Sequence, residues 1–101
     1  MLSKFHTYQV ALQFHRGCRG ISLPGYLKDQ LLRASSSIAL NVSEGSAKPT
    51  KRDQLKFYFI ALGSLRESQC ALDLAPQSYP ELIQLADRLG GLLFRLCYPK
   101  S

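Results

Sequence analysis

Residues 27–53 read LKDQLLRASSSIALNVSEGSAKPTKRD and contain the clearest helical pattern of the chain. Apolar side chains recur there at three- and four-residue steps, at Leu27, Leu31, Ala34, Ile38 and Val42. This spacing predicts an amphipathic helix, because residues so spaced share one helical face. Gly45 closes the helix, and the break through Pro49 separates it from the next. Thr50 and Asp53 then form a capping box, in which the threonine hydroxyl accepts from a free backbone amide.

The same periodicity extends outward and predicts four helices. They are expected at about residues 6–18, 24–44, 51–74 and 79–97. Gly17 and Gly20 end the first helix, and Ser22 followed by Pro24 opens the second.

Short connections decide how these helices are arranged. Pro76 stops the third helix, and Ser78 with Glu81 repeats the capping box at the start of the fourth. Connections of this length place each helix antiparallel to its neighbour. The sequence therefore predicts an all-α fold, an antiparallel up-down-up-down four-helix bundle, with residues 1–101 as a single domain.

Each of the other helices has a predicted inner face. In the first helix it comprises Tyr8, Ala11, Leu12, His15 and Cys18. In the third it comprises Leu55, Phe59, Leu62, Leu65 and Leu72, and in the fourth Leu82, Leu85, Leu89, Leu93 and Leu96.

The third helix is apolar on more sides than one core can cover. Residues 57–62 are all apolar or aromatic, so they surround the helix. Phe57 and Ile60 lie one turn apart beside Ser64, and these three residues form the predicted oligomer interface. The alternative is a bulky surface patch, since scattered exposed apolar side chains are normal.

Composition excludes several classes of protein. The chain has 101 residues, 46% of them hydrophobic and 20% charged, as in ordinary globular domains. Neither a signal-peptide core nor a stretch long enough to span a membrane is found, so a cytoplasmic protein without membrane contact is expected. Cys18, Cys70 and Cys97 show no Cys-x-x-Cys spacing, which indicates buried thiols in a reducing compartment rather than disulfides or zinc ligands. No metal or cofactor is expected.

The formal net charge of +6 indicates attraction to polyanions. Four bases cluster around the start of the third helix: Lys48, Lys51, Arg52 and Lys56. Because the helix dipole already makes that end positive, basic residues there lower the local stability of the helix. Their presence predicts contacts with the phosphates of RNA or DNA, to which Arg16 and Arg19 are expected to contribute. No aromatic stacking motif indicates that bases are read. A solvated charged face compensated by Asp53 is an equally good interpretation.

Two stretches of the chain resemble a known family. Residues 29–45 read DQLLRASSSIALNVSEG, and residues 60–67 read IALGSLRE. Both closely resemble the four-helix-bundle proteins encoded in 23S rRNA intervening sequences. The resemblance implies a homopentamer whose cellular role is mostly unassigned. The chain is also similar to the accessory variability proteins of diversity-generating retroelements, which implies a basic pentameric barrel acting with a reverse transcriptase and nucleic acid.

Six polar residues in and near these stretches are assigned an architectural role: Gln30, Arg33, Asn41, Glu44, Ser64 and Glu67. Arg33 is expected within a turn of Glu67, where an ion pair would fix the register of the two helices. Asn41 and Glu44 are expected to bond the loop backbone that follows them. The competing interpretation is a ligand pocket lined by polar groups, which no phosphate loop or metal spacing supports.

An enzyme is not expected. Residues 35–37 are serines in mid-helix with no base at a plausible spacing, and their hydroxyls are expected to bond back to carbonyls one turn earlier. His15 and Cys18 are too few for a metal site. The leading hypothesis is a non-enzymatic homo-oligomeric scaffold that binds nucleic acid, as RNA or a ribonucleoprotein, through its phosphates. The second is a protein-only adaptor that docks a partner enzyme such as a reverse transcriptase, its charge serving solubility or steering.

Overall fold

Four α-helices make up the structure, a computed structural model that describes residues 3–100. They are α1 Ser3–Arg19, α2 Gly25–Ser46, α3 Lys51–Leu74 and α4 Pro80–Cys97. No strand occurs within residues 3–100, so the all-α prediction is confirmed. None of the helices in this range has both the length and the apolar character that crossing a membrane requires.

The helices form a ring around one core. α1 and α3 each pack against both α2 and α4, whereas the backbones of the diagonal pairs stay apart. The molecule measures 41 Å by 20 Å by 17 Å. Along the seam between α2 and α3, Gln30 contacts Glu67, and Ser37 contacts Ser64. Residue numbers therefore rise along α2 as they fall along the facing part of α3, as a four-helix bundle allows.

Local signals account for some helix ends and not for others. Thr50 Oγ1 accepts a hydrogen bond of 3.2 Å from the Asp53 backbone amide, which confirms the threonine half of the predicted capping box of α3. The predicted cap at Ser78 is wrong, because α4 begins after Tyr79, which makes no side-chain cap. Pro80 begins α4 instead, since its missing amide costs no hydrogen bond there.

Two glycines that were expected to end helices lie inside them. Gly17 is part of α1 and Gly45 part of α2, and no glycine between residues 3 and 100 has a positive φ. Both permit close packing instead. A Cβ on Gly17 would lie 2.6 Å from a Leu82 side-chain carbon, and one on Gly45 would lie 2.7 Å from a Tyr58 ring carbon. Pro24 likewise precedes α2 as its N-cap rather than lying in its first turn.

The core follows the predicted stripe of α2 and departs from that of α1. All five predicted α2 residues are buried. In α1, Ala11 and Cys18 are buried as expected, but the other three predicted residues are only half-buried. Phe14 lies outside the predicted stripe, yet it is the largest fully buried side chain among the described residues.

The predicted inner face of α3 is partly wrong. Leu65 and Leu72 are buried, and the other two predicted leucines are half-buried. Phe59 is exposed, and its neighbour Tyr58 is buried in its place. The Tyr58 ring is accommodated because Gly45 presents no side chain to it. In α4, three of the five predicted leucines are buried, namely Leu82, Leu89 and Leu93.

Candidate nucleic-acid interface

The corner between α2 and α3 carries the basic cluster that was predicted to contact phosphate. Lys48 lies in the connection between the two helices, with its Nζ 3.0 Å from Glu44 Oε2 and 5.2 Å from the centre of the Phe57 ring. Its charge is therefore already engaged by an ion pair and by a cation–π contact. The Lys48–Glu44 pair is the only ion pair within residues 3–100.

Three exposed bases, Lys51, Arg52 and Lys56, form what we call the Lys51 cluster. They lie in the first two turns of α3, and none of them has an ion-pair partner in the described part of the chain. Arg52 and Lys56 line an open concavity together with Thr50 and Asp53. Asp53, the acid expected to compensate these charges, makes no salt bridge to any of them. Three cations beside the N-terminus of a long helix are thus available to an anion.

Arg16 and Arg19 were predicted to help the same site, but they lie at the far end of α2. Lys28 Nζ, in the first turn of α2, donates to the Arg19 carbonyl oxygen at 3.0 Å, which places the end of α1 beside the start of α2. Lys28 and Ser46, the last residue of α2, are 18 residues apart, a distance of about 27 Å at about 1.5 Å per residue, and Lys48 lies beyond Ser46. The structure therefore does not bring the two groups of bases together.

Contacts between helix ends show what else surrounds the Lys51 cluster. The start of α1 lies beside the end of α2, since Lys4 and Tyr8 line one shallow depression with Ser46. The end of α4 lies beside the first half of α3, since the Tyr98 and Phe59 ring centres are 5.4 Å apart. Residues from all four helices thus share this end of the molecule.

The net charge is concentrated at this end. Dividing each helix at its middle assigns residues 3–11, 36–62 and 89–100 to what we call the Pro49 end, and residues 12–35 and 63–88 to the Pro76 end. The Pro49 end has seven lysines and arginines against two acids, a formal charge of +5. The Pro76 end has six against five, a formal charge of +1, and the two together account for the +6 of the chain.

Some of the predicted polar residues form other pairs than expected. Gln30 Nε2 donates to Glu67 Oε2 at 3.4 Å, and no ion pair joins Glu67 to Arg33. The predicted pair is replaced because Gln30, one turn before Arg33, occupies the position level with Glu67. Glu44 pairs with the Lys48 side chain instead of the loop backbone.

Asn41 also bonds within its own helix rather than to the loop. Its Nδ2 donates to the Ser37 carbonyl oxygen at 2.8 Å and to Ser37 Oγ at 3.0 Å. Ser37 Oγ in turn shares a hydrogen bond of 2.8 Å with Ser64 Oγ across the seam. The loop contact comes from a residue that sequence reasoning missed, because Gln54 Nε2 donates to the Lys48 carbonyl oxygen at 2.9 Å.

The three residues of the predicted oligomer interface differ in exposure. Ile60 is exposed, Phe57 is half-buried, and Ser64 is buried against α2. Because Ser37 meets Ser64, the exposed Leu40 of α2 lies near the level of Ile60. An interface on this α2–α3 face stays a prediction, and Leu40 is an apolar member that the periodicity of α2 did not indicate.

A serine–histidine pair that the sequence did not indicate lies between α1 and α2. His15 Nδ1 and Ser35 Oγ share a hydrogen bond of 2.7 Å. Ser35 is 0% exposed, so its hydroxyl does not reach solvent. Burial raises the pKa of the nearby Cys18 thiol to about 12, although Ser35 hydrogen-bonds it. These three side chains therefore form a hydrogen-bonded group between α1 and α2. Ser36 Oγ donates to the Arg33 carbonyl oxygen at 3.0 Å, as predicted for a serine in mid-helix.

The cysteines do not share one environment. Cys18 and Cys97 are buried, but Cys70 is exposed, contrary to the prediction for all three. Burial raises the pKa of the Cys97 thiol to about 11, so this side chain stays protonated near neutral pH. From residue 3 to residue 100, no three His, Cys, Asp or Glu side chains lie close enough together to hold a metal ion.

His15 is expected to make stability depend on pH. Burial, followed by the charges of Arg19 and Arg16, lowers the pKa of His15 from its usual 6.5. The unfolded chain therefore takes up a proton at a higher pH than the folded chain. The free energy of unfolding should fall as pH drops from 6.5 towards the lowered pKa, and level off below it.

Urea unfolding measured at a series of pH values between about 8 and about 5 tests this expectation. His15→Gln should flatten the profile between the two pKa values, whereas His6→Gln serves as the matched control. A pH profile unaltered by His15→Gln would contradict the assignment.

Residues 3–100 thus form a small all-helical protein, with four helices around one core and its positive charge gathered at one end. A family model described as 23S rRNA-intervening sequence protein matches residues 8–79, from α1 through α3. The chain belongs to this family, as the resemblance of residues 29–45 and 60–67 predicted. No curated protein and no solved structure matches it.

Proposed function

We propose that this protein is a non-enzymatic, homo-oligomeric scaffold that binds RNA through phosphate contacts. The observation that carries the proposal is the Lys51 cluster, three exposed bases without ion-pair partners at the start of α3, within an end of formal charge +5. A helix N-terminus adds free backbone amides and a positive dipole end to such a site. Because the family description refers to an rRNA intervening sequence, we take RNA rather than DNA as the polyanion of the proposal.

Self-association would multiply this charge. The order of contacts along the α2–α3 seam supports an antiparallel up-down-up-down bundle, and its exposed Leu40 and Ile60 offer an apolar surface for a second copy. The family resemblance implies five copies, which would repeat the Lys51 cluster around a ring in the cytoplasm. Weak phosphate contacts then add up, and the affinity for RNA falls steeply with salt.

The test is an electrophoretic mobility shift with a structured RNA at about 50 mM and about 200 mM salt. The test variant reverses the Lys51 cluster and carries Lys51→Glu, Arg52→Glu and Lys56→Glu. The control variant carries Arg16→Glu, Arg19→Glu and Arg33→Glu. These control positions are exposed at the Pro76 end, and their reversal changes the net charge by the same amount.

We expect the wild-type protein to bind RNA more weakly at the higher salt concentration. The test variant should bind RNA at least about tenfold more weakly at low salt, whereas the affinity of the control variant should stay near that of wild type. In a plot of the logarithm of the binding constant against the logarithm of the salt concentration, the slope of the test variant should be smaller in magnitude by about 3 per subunit. Light scattering checks that the oligomeric state is unchanged. Equal losses in both variants would refute the site, and wild-type protein that binds no RNA would refute the proposal in favour of the protein-only adaptor.

A further inference from the structure

Three partly exposed aromatic side chains meet on the face between α3 and α4. Phe59 of α3 is 43% exposed, Phe94 of α4 is 53% exposed, and Tyr98, which follows α4, is 54% exposed. The centre of the Tyr98 ring lies 5.4 Å from that of Phe59 and 4.6 Å from that of Phe94, with interplanar angles of 87° and 38°. These three residues, which we call the aromatic cluster, support one another while about half of each side chain faces solvent.

The geometry of the aromatic cluster is set by the end of α4. The Tyr98 backbone amide donates to the Phe94 carbonyl oxygen at 2.8 Å, which holds the two residues one turn apart. Their rings are also buttressed by Phe59 from the neighbouring helix. A surface arranged in advance loses little conformational entropy when a ligand binds to it.

The α3 side of the aromatic cluster is basic. Arg52 and Lys56 precede Phe59 by seven and three residues, so all three share one face of α3. This face runs from the Lys51 cluster directly to the aromatic cluster. No acidic residue occurs between residues 54 and 66.

The α4 side is basic as well. Arg95 adjoins Phe94 in sequence, and Lys100 follows Tyr98 by two residues. Residues 89–100 contain no acidic residue. The aromatic cluster is therefore bordered on both helices by segments that contain lysine or arginine and no acidic residue.

We propose that the aromatic cluster is a stacking platform for unpaired bases of single-stranded RNA, the phosphates of which contact the Lys51 cluster. This inference rests on the proposed function and extends it from the RNA backbone to the bases. Every base has a π face, so aromatic rings combined with neighbouring cations bind single strands with little dependence on sequence. A second copy of the chain that met this face with the same face would bring like charges together without acids to offset them.

Sequence reasoning missed the platform because its members are remote in the chain. Phe59 and Tyr98 are 39 residues apart, and only the packing of α3 on α4 brings their rings together. Phe59 was also predicted to lie on the inner face of α3, so it was not considered as a residue available to a ligand. The sequence did contain one signal, the aromatic pair Phe94 and Tyr98, which are four residues apart and have Arg95 and Lys100 beside them.

The test uses the full chain and a short single-stranded RNA that carries 2-aminopurine, a base whose fluorescence changes when it stacks on an aromatic ring. The test variant carries Phe94→Ala and Tyr98→Ala, and a second variant carries Phe94→Leu and Tyr98→Leu, which keep apolar volume without rings. Phe94→Tyr retains a ring at the site. Tyr26→Ala is the matched control, because Tyr26 is an exposed aromatic residue at the Pro76 end. An RNA duplex and a DNA strand of the same sequence serve as comparison ligands.

Wild type, Phe94→Tyr and Tyr26→Ala should bind the RNA strand with the fluorescence change of stacking. The alanine and leucine variants should bind it about tenfold more weakly and lose that change, while their helix content stays as in wild type. Their affinity for the duplex should be unaltered, because its bases are already stacked. The DNA strand should bind more weakly than the RNA strand.

Several results would overturn the inference. The platform would be refuted if the alanine and leucine variants bound the single strand with unaltered affinity and fluorescence. If binding still required the Lys51 cluster, the proposed function would stay in place. Wild-type protein without affinity for any RNA would refute both. Variants that change from oligomer to monomer, with RNA affinity per subunit retained, would assign the aromatic cluster to a second copy of the chain. A DNA strand bound as tightly as the RNA strand would refute the commitment to RNA.

Discussion

Replacing Phe14 with alanine is expected to lower the free energy of unfolding by about 3–5 kcal/mol. Phe14 is 0% exposed and lies in the core shared by the four helices. The substitution removes buried apolar area and leaves a cavity that the packed helices fill only in part. The loss is a large fraction of the total of about 5–15 kcal/mol that is typical of a domain. Urea unfolding followed by far-UV circular dichroism measures it.

The matched control for this prediction is Phe5→Ala in the same helix. The Phe5 ring is 62% exposed, so its removal should change the free energy of unfolding by no more than about 0.5 kcal/mol. Losses of similar size in the two variants would contradict the rotation of α1 that places Phe14 in the core.

Replacing Gly45 with alanine is expected to destabilise the protein by about 1–3 kcal/mol, although alanine is the better helix former. The new Cβ would lie 2.7 Å from Tyr58 Cε1 and 3.1 Å from the Gln54 carbonyl oxygen. The Tyr58 ring is buried, and the Gln54 oxygen belongs to the backbone of α3. Relief of both contacts therefore requires α2 and α3 to move apart at the point where they approach closely.

Gly63→Ala is the control for this effect and should change stability in the opposite direction. No heavy atom outside its local helix lies within 4 Å of a Cβ built on Gly63. Alanine there should stabilise α3 by about 0.5–1 kcal/mol, because glycine is the poorer helix former. Thermal unfolding of both variants shows whether each substitution raises or lowers the stability of the protein. A stabilising Gly45→Ala would show that the helices are farther apart than the structure has them.

Local sequence accounted well for α2 and for the start of α3. The stripe from Leu27 to Val42 is buried as predicted, because its members recur at three- and four-residue steps and so share one helical face. The Thr50 cap was predictable for a similar reason, since its donor at Asp53 lies three residues away. In both cases the residues that interact, or that share a face, are close in sequence.

The same reasoning was insufficient for α3 itself. Residues 57–62 are apolar or aromatic without interruption, so periodicity does not determine which of them faces the core. Tyr58 is buried rather than Phe59 because α2 presents Gly45 to its ring. That preference comes from a different helix, and no pattern within α3 contains it.

By itself, the sequence determined that the chain forms four helices, where the main breaks between them fall, which family it belongs to and that it carries an excess of positive charge. The tertiary structure alone decided that this charge is gathered at the Pro49 end, that Arg16 and Arg19 lie far from the Lys51 cluster, and that Phe59 meets Tyr98. The physical reason is one of range. Helix formation and capping depend on residues within a turn or two of one another, whereas the meeting of helix ends depends on packing between side chains that are distant in sequence.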